Sequence, residues 1–172
     1  MLFRSKPVVM AVNGPAAGVG FVLAMTGDIR FAAPSATFIS AFVRLGLVAE
    51  YGSAWLLPRL VGQGQASEIL LSGRTVDAAE ALRMGLVERV SDDPLAEAVH
   101  WARQVAAECS PTSLATIKRQ LLASGAQTYP QSLDESLSLM RVSFRSPDIA
   151  EALLARAQKR PVDFGPRTDL KP

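Results

Sequence analysis

One cysteine and one histidine in 172 residues leave little room for several kinds of chemistry. Cys109 has no partner for an internal disulfide, and no CxxC pair or His/Cys cluster offers ligands for a structural metal. That pattern fits a reducing cytoplasm. Aromatic residues make up 6% of the chain, so Ala, Leu and Val have to build the core, a composition suited to helices and buried strands rather than a thin sandwich. Neither sign of charge dominates: 18 basic residues face 16 acidic ones for a net charge of +2. The two signs are mixed along most of the chain, which argues against nucleic acid as a partner. There is no long hydrophobic run either. The apolar stretch after MLFRSK is broken by Asn13, Gly14 and Pro15 before it reaches bilayer length, so it reads as a strand and not as a signal or membrane segment.

What is present is apolar and punctuated. At 49% hydrophobic and 20% charged residues the chain is predicted to fold compactly. Pro7 to Val12 reads as a buried strand running into a turn, and Gly18 and Gly20 open a helix from Phe21 to Met25. Ile29 to Ala32 and Thr37 to Ser40 read as strands, and Ser53 to Val61 and Ala66 to Leu71 as helices, with Gly62, Gly64 and Gly73 as breaks. Asp77 and Glu80 form a candidate capping box for a helix from Ala78 to Met84, and Leu86 to Val90 is a candidate strand. Asp93-Pro94, Ser110-Pro111 and Ser146-Pro147 each start a helix, and a further helix is expected from Ser132 to Phe144. The proline-containing tail from Pro161 to Pro172 is expected to fray or to lie on a neighbour. Arg156, Lys159, Arg160 and Arg167 form a small basic cluster that suits a solvated tail first and a phosphate second.

The loop Gly14-Pro-Ala-Ala-Gly-Val-Gly20 is the most informative local feature. Glycines between a strand and a helix let backbone N–H groups approach an anion without a Cβ in the way. A nucleotide phosphate is disfavoured, because the loop has neither a GK[ST] ending nor the GxGxxG spacing. The oxyanion of an activated carbonyl needs only the backbone. A purely structural tight turn stands beside that reading.

The segment KPVVMAVNGPAAGVGFVLAMTGDIRFAAPSATF, the segment AFVRLGLVAEYGSAWLLPRL and the segment LVGQGQASEILLSGRTVDAAEALRMGLVERV together resemble the crotonase superfamily, the enoyl-CoA hydratase/isomerase family, from about Lys6 to Phe164. The resemblance implies an α/β ClpP/crotonase-like spiral of ββα units, shortened at its N-terminus, in residues 1–109. A helical C-terminal trimerisation region follows in residues 110–172. It also implies an acyl-CoA thioester as substrate and no cofactor beyond the coenzyme A that the substrate carries. The oxyanion donor would be the N–H of Val19 between Gly18 and Gly20. Lys159, with Arg160 beside it, matches a lysine that approaches the CoA phosphates from a neighbouring subunit of a homotrimer or hexamer.

Hydratases of the family add water with two glutamates, and these positions match Val22 and Phe42, which cannot carry a proton. The isomerase branch places an acid in a Gly-Leu-x-x-acid-x-Gly pattern, met here by Gly46-Leu-Val-Ala-Glu50-Tyr-Gly52. A carboxyl group enclosed by apolar neighbours favours its protonated form and suits proton shuttling between carbons. The lesser alternative is that Glu50 is an ordinary exposed loop acid or the N-cap of the Ser53 helix. The expected function is therefore isomerisation of a double bond or ring on an acyl-CoA rather than hydration, with a non-catalytic relative that binds CoA or co-assembles with full-length homologues as the alternative. Tyr51, His100 and Cys109 are read as packing or surface residues. The family's N-terminal strands, with the loop that supplies the other oxyanion donor, have no counterpart in this sequence. An exposed sheet edge and low stability are expected in consequence, and MLFRSKPVV reads as either a shortened product or an internal start.

Overall fold

The computed structural model describes residues 5–170, and these divide into two compact units. The first covers residues 8–101. Its first sheet has the order β1 (Val9–Val12), β3 (Ile29–Ala32), β6 (Arg89–Val90), all parallel, with Val9 opposite Ile29 and Phe31 opposite Arg89. Its second sheet has the order β2 (Pro15–Ala17), β4 (Thr37–Ile39), β5 (Thr75–Asp77), with β2 parallel and β5 antiparallel to β4. Helices α1 (Val19–Met25), α2 (Ser53–Ser72) and α3 (Ala78–Arg83) complete the unit. Its apolar core includes Phe21, Phe38, Leu57, Ile69, Val76 and Leu86, each fully buried.

Several expectations change in detail. The first strand begins at Val9 and is half-buried along its length rather than buried. The two helices expected on either side of Gly62 are one element, interrupted where Gly62 adopts φ 79 and ψ 162. Glycine allows that break with no steric penalty. The strand expected over Leu86 to Val90 keeps only Arg89 and Val90 in the ladder. Asp77 caps α3 by accepting from the Glu80 N–H at 2.7 Å. The return half of the capping box is replaced, because the Glu80 carboxylate takes both terminal nitrogens of Arg74.

The second unit holds residues 5–7 and residues from 102 onward, the division falling inside α4 (Pro94–Glu108). It contains α5 (Pro111–Ser124), α6 (Tyr129–Ser143) and α7 (Pro147–Gln158). Ser110 caps α5 by accepting from the Ser113 N–H and donates in turn to Asp148 in the first turn of α7. Thr128 and Gln131 form a capping box that starts α6 three residues earlier than the sequence suggests. The tail does not fray over its described part: the Thr168 N–H donates to Thr112 Oγ1 at 3.0 Å, and Leu170 is 8% exposed. The final two residues of that tail, and the first four of the N-terminal tract, lie outside the described residues. No described helix is long and apolar enough to cross a membrane.

Candidate functional site

The glycine loop is held open from one side. Gly18 donates its N–H to the Ile39 carbonyl at 3.0 Å, which anchors the loop to β4. Its φ of 51 and ψ of −116 lie where a side chain would be strained, so glycine is required there for conformation. Val22 donates to the Gly18 carbonyl at 3.2 Å, which closes the first turn of α1. The N–H groups of Val19, Gly20 and Phe21 precede that bond and have no acceptor within the helix. A Cβ added at Gly18 or Gly20 would meet no atom within 4 Å. Gly20 is thus required neither by positive φ nor by crowding.

Val22 and Phe42 point the other way, into packed protein. Both belong to the apolar core, at 3% and 4% exposure. Phe42 opens a short 3-10 segment (Phe42–Leu45) just after Ala41, whose φ is 54. It also walls a groove of about 360 Å³ together with Leu47, Ala49, Pro58, Ala66 and Leu70.

Glu50 lies eight residues further, in a turn with mirror-image backbone. Tyr51 (φ 49, ψ 30) and Gly52 (φ 76, ψ 18) have successive positive φ angles, and the Ser53 N–H donates back to the Glu50 carbonyl. This is the type I′ pattern. Gly52 precedes α2 and no side chain caps that helix, so the reading of Glu50 as its N-cap does not hold. Glu50 itself is half-buried, but Val48 and Tyr51 beside it are 79% and 71% exposed. The enclosure expected from its apolar sequence neighbours is therefore not made by those neighbours.

The turn carries two uncompensated energetic costs. A non-glycine residue in the left-handed region costs about 1–3 kcal/mol, and the exposed ring of Tyr51 buries little to offset it. Ser53 is fully buried, and its Oγ finds no hydrogen-bond partner among the described residues, a further penalty of about 1–3 kcal/mol. Both α1 and the start of α2 pack against this turn. Among the described residues, only Ala41, Tyr51 and Lys159 combine a side chain with positive φ. Two of those three bracket the segment that holds Phe42 and Glu50.

Lys159 belongs to the second unit, where it ends α7 in a left-handed C-cap (φ 52) with its side chain exposed. Arg160 is not available as its twin. Its guanidinium grips both carboxylate oxygens of Glu151 at 2.6 and 2.8 Å. That grip, with the Asp163 N–H, pulls the Glu151 carboxyl down from 4.5 to about 2. His100 is exposed on α4, and Cys109 is half-buried rather than buried. The sequence reading passed over Ser53 and gave Tyr51 a packing role. No composition or spacing signal marks a buried orphan hydroxyl or a strained φ.

The chain matches the family model for enoyl-CoA hydratase/isomerase over residues 2–167. It is 40% identical over 162 residues to the 1,2-epoxyphenylacetyl-CoA isomerase of Escherichia coli (strain K12), covering 92% of this chain and 61% of that protein. It is 36% identical over 166 residues to the cyclohexa-1,5-dienecarbonyl-CoA hydratase of Thauera aromatica, covering 95% and 64%. The crystal structure of an enoyl-CoA hydratase from Polaromonas sp. JS666 superposes with a TM-score of 0.89 at 32% identity, covering 95% of this chain and 64% of that one. The chain thus spans somewhat over half the length of the relatives it matches.

Proposed function

The chain belongs to the enoyl-CoA hydratase/isomerase family, and on that premise we propose that it acts on an acyl-CoA thioester by proton transfer between carbons, without adding water. The observation that carries this reading is the contrast between two kinds of position. Val22 and Phe42 are apolar and buried, and a hydrocarbon side chain can neither activate nor deliver a water proton. Glu50 is half-buried in a turn packed against α1, the helix whose first amide belongs to Val19.

In this reading the carbonyl oxygen of the thioester faces the Val19 N–H. The Glu50 carboxylate removes a proton from an acyl carbon, and the electron pair moves onto the carbonyl oxygen as an enolate. The Val19 N–H stabilises that charge, and a single donor of this kind commonly contributes about 3 kcal/mol to the transition state. The Glu50 carboxyl group then returns its proton to a different carbon. Atoms and charge balance with no added water, and the product is an isomer of the substrate. Gly18 supplies the backbone conformation and Gly20 the clear approach. The exposed Lys159 is the side chain this reading assigns to the CoA phosphates bound by a neighbouring copy of the chain, and no cofactor beyond the substrate's own coenzyme A is needed. A trimer or pair of trimers is the assembly it implies, which a sizing column reads directly.

The test is turnover by the full chain of 2-enoyl-CoA, 3-enoyl-CoA and ring-epoxide CoA thioesters, with Glu50→Gln in parallel. Isomerisation that falls by about 10²- to 10⁴-fold in the variant is the expected result. Hydration of a 2-enoyl-CoA would overturn the reading that no water is added, and isomerisation that survives Glu50→Gln would remove Glu50 from the mechanism. Binding of acyl-CoA without any turnover would favour the second reading, a non-catalytic relative that retains CoA affinity.

A further inference from the structure

The turn that carries Glu50 is more expensive than its role in the fold explains. It places a tyrosine at φ 49 with 71% of the side chain in solvent, where a glycine would sit without strain. Two residues later it buries a serine hydroxyl completely and gives it no partner among the described residues. Buried hydroxyls in stable proteins are nearly always hydrogen-bonded, and unexplained exceptions gather where a ligand or a moving side chain completes the set.

The geometry names the group that can complete it. The backbone bond from the Ser53 N–H to the Glu50 carbonyl closes the turn, which brings the two Cα atoms within about 7 Å of one another. Glu50 and Ser53 thus stand at the two ends of one tight turn, and a glutamate side chain is long enough to reach across a separation of that order. A hydroxyl has one proton to donate, and an ionised carboxylate only accepts. A buried donor of this kind fixes one orientation of the carboxylate and shields it from water.

We propose that Ser53 is a positioning residue for Glu50: its buried, unpartnered hydroxyl donates to the carboxylate and holds it in the orientation that transfers protons. The left-handed backbone at Tyr51 and Gly52 is what folds the chain back so that Glu50 and Ser53 end one tight turn. The proposal rests on the reading of Glu50 as the proton-transferring group.

A double-mutant cycle over Glu50→Gln and Ser53→Ala in the full chain tests it, with isomerisation kinetics and thermal unfolding read on every variant. Ser53→Ala deletes an orphan polar atom, so its Tm is expected to equal or exceed that of the parent. Its kcat is expected to fall about tenfold or more, the scale of a hydrogen bond to a charged group, with KM within about twofold. In the Glu50→Gln background the same substitution is expected to change kcat by less than about twofold, because its effect runs through the carboxylate. Ser53→Cys, close in size and a weak donor, is expected to fall between parent and alanine variant. Unchanged kcat in Ser53→Ala, equal losses in both backgrounds, or a loss of kcat that tracks a lower Tm would each overturn the positioning role. Failure of Glu50→Gln to lower turnover is a separate result that overturns the reading of Glu50 itself and takes this proposal with it.

Discussion

Arg30, 3% exposed, donates from Nη2 to the Glu88 Oε1 at 2.7 Å, and Glu88 is 41% exposed. Its Nε donates to the Leu86 carbonyl at 2.7 Å and its Nη1 to the Gly27 carbonyl at 2.8 Å. The other oxygen of Glu88 accepts from the Arg30 backbone N–H. One buried cation thus fastens the entry of β3 to the strand that follows α3.

Removing the acid leaves that cation buried with only neutral carbonyl partners. Glu88→Ala is expected to destabilise the first unit by about 1–3 kcal/mol, read from the midpoint of urea unfolding. Glu88→Gln keeps the acceptor without the charge and is expected to recover part of the loss. An unchanged midpoint in the alanine variant would show that the carbonyls alone satisfy Arg30.

The second unit is expected to weaken in acid over a defined window. Glu151 is held at about 2 against a usual 4.5, chiefly by the Arg160 hydrogen bonds and then by the Asp163 N–H. A folded-state value below the unfolded one means that the stabilisation is complete above about 4.5. It is lost as pH falls from there through about 2. Helix content followed against pH is expected to fall more steeply across that range in the parent than in Glu151→Gln, which has no such proton to take up. Parallel curves would assign acid sensitivity to other carboxylates.

Two glycines of one loop are expected to respond in opposite directions. Gly18→Ala forces a side chain into φ 51, at about 1–3 kcal/mol of strain, and should lower the Tm and acyl-CoA binding together. Gly20 has helical backbone and open space before it, so Gly20→Ala should raise helix stability by about 0.5–1 kcal/mol. On the proposed reading the added methyl group sits beside the Val19 amide that faces the thioester, so binding should still fall. A Tm that rises while affinity drops marks an opening kept clear for a ligand, and unchanged affinity in Gly20→Ala would argue against one.

Much of the architecture was legible along the chain because local rules and tertiary packing agree there. Asp77 before α3 and Ser110 before α5 mark helix starts by the backbone N–H groups they accept from, and the prolines that follow capping positions mark them by lacking an N–H that would find no acceptor there. The β-branched stretch before Asn13-Gly14-Pro15 marks a strand. The resemblance carried by the glycine loop and the Glu50 segment located the family, and the superposition on the solved enoyl-CoA hydratase from Polaromonas agrees with that fold. Boundaries drifted where short-range signals compete, as at Gly62, where a break in backbone conformation was read as the end of one helix and the start of another.

The sequence by itself determined that positions 22 and 42 cannot move a proton and that an acid stands at position 50, because side-chain chemistry is written residue by residue. The tertiary structure alone decided that Tyr51 lies in the left-handed region, that the Ser53 hydroxyl is buried without a partner among the described residues, and that Arg160 is already taken by Glu151. Those facts depend on what surrounds each group once the chain has packed. Burial, strain and pairing belong to the neighbours a residue acquires in space, and no spacing along the chain records them.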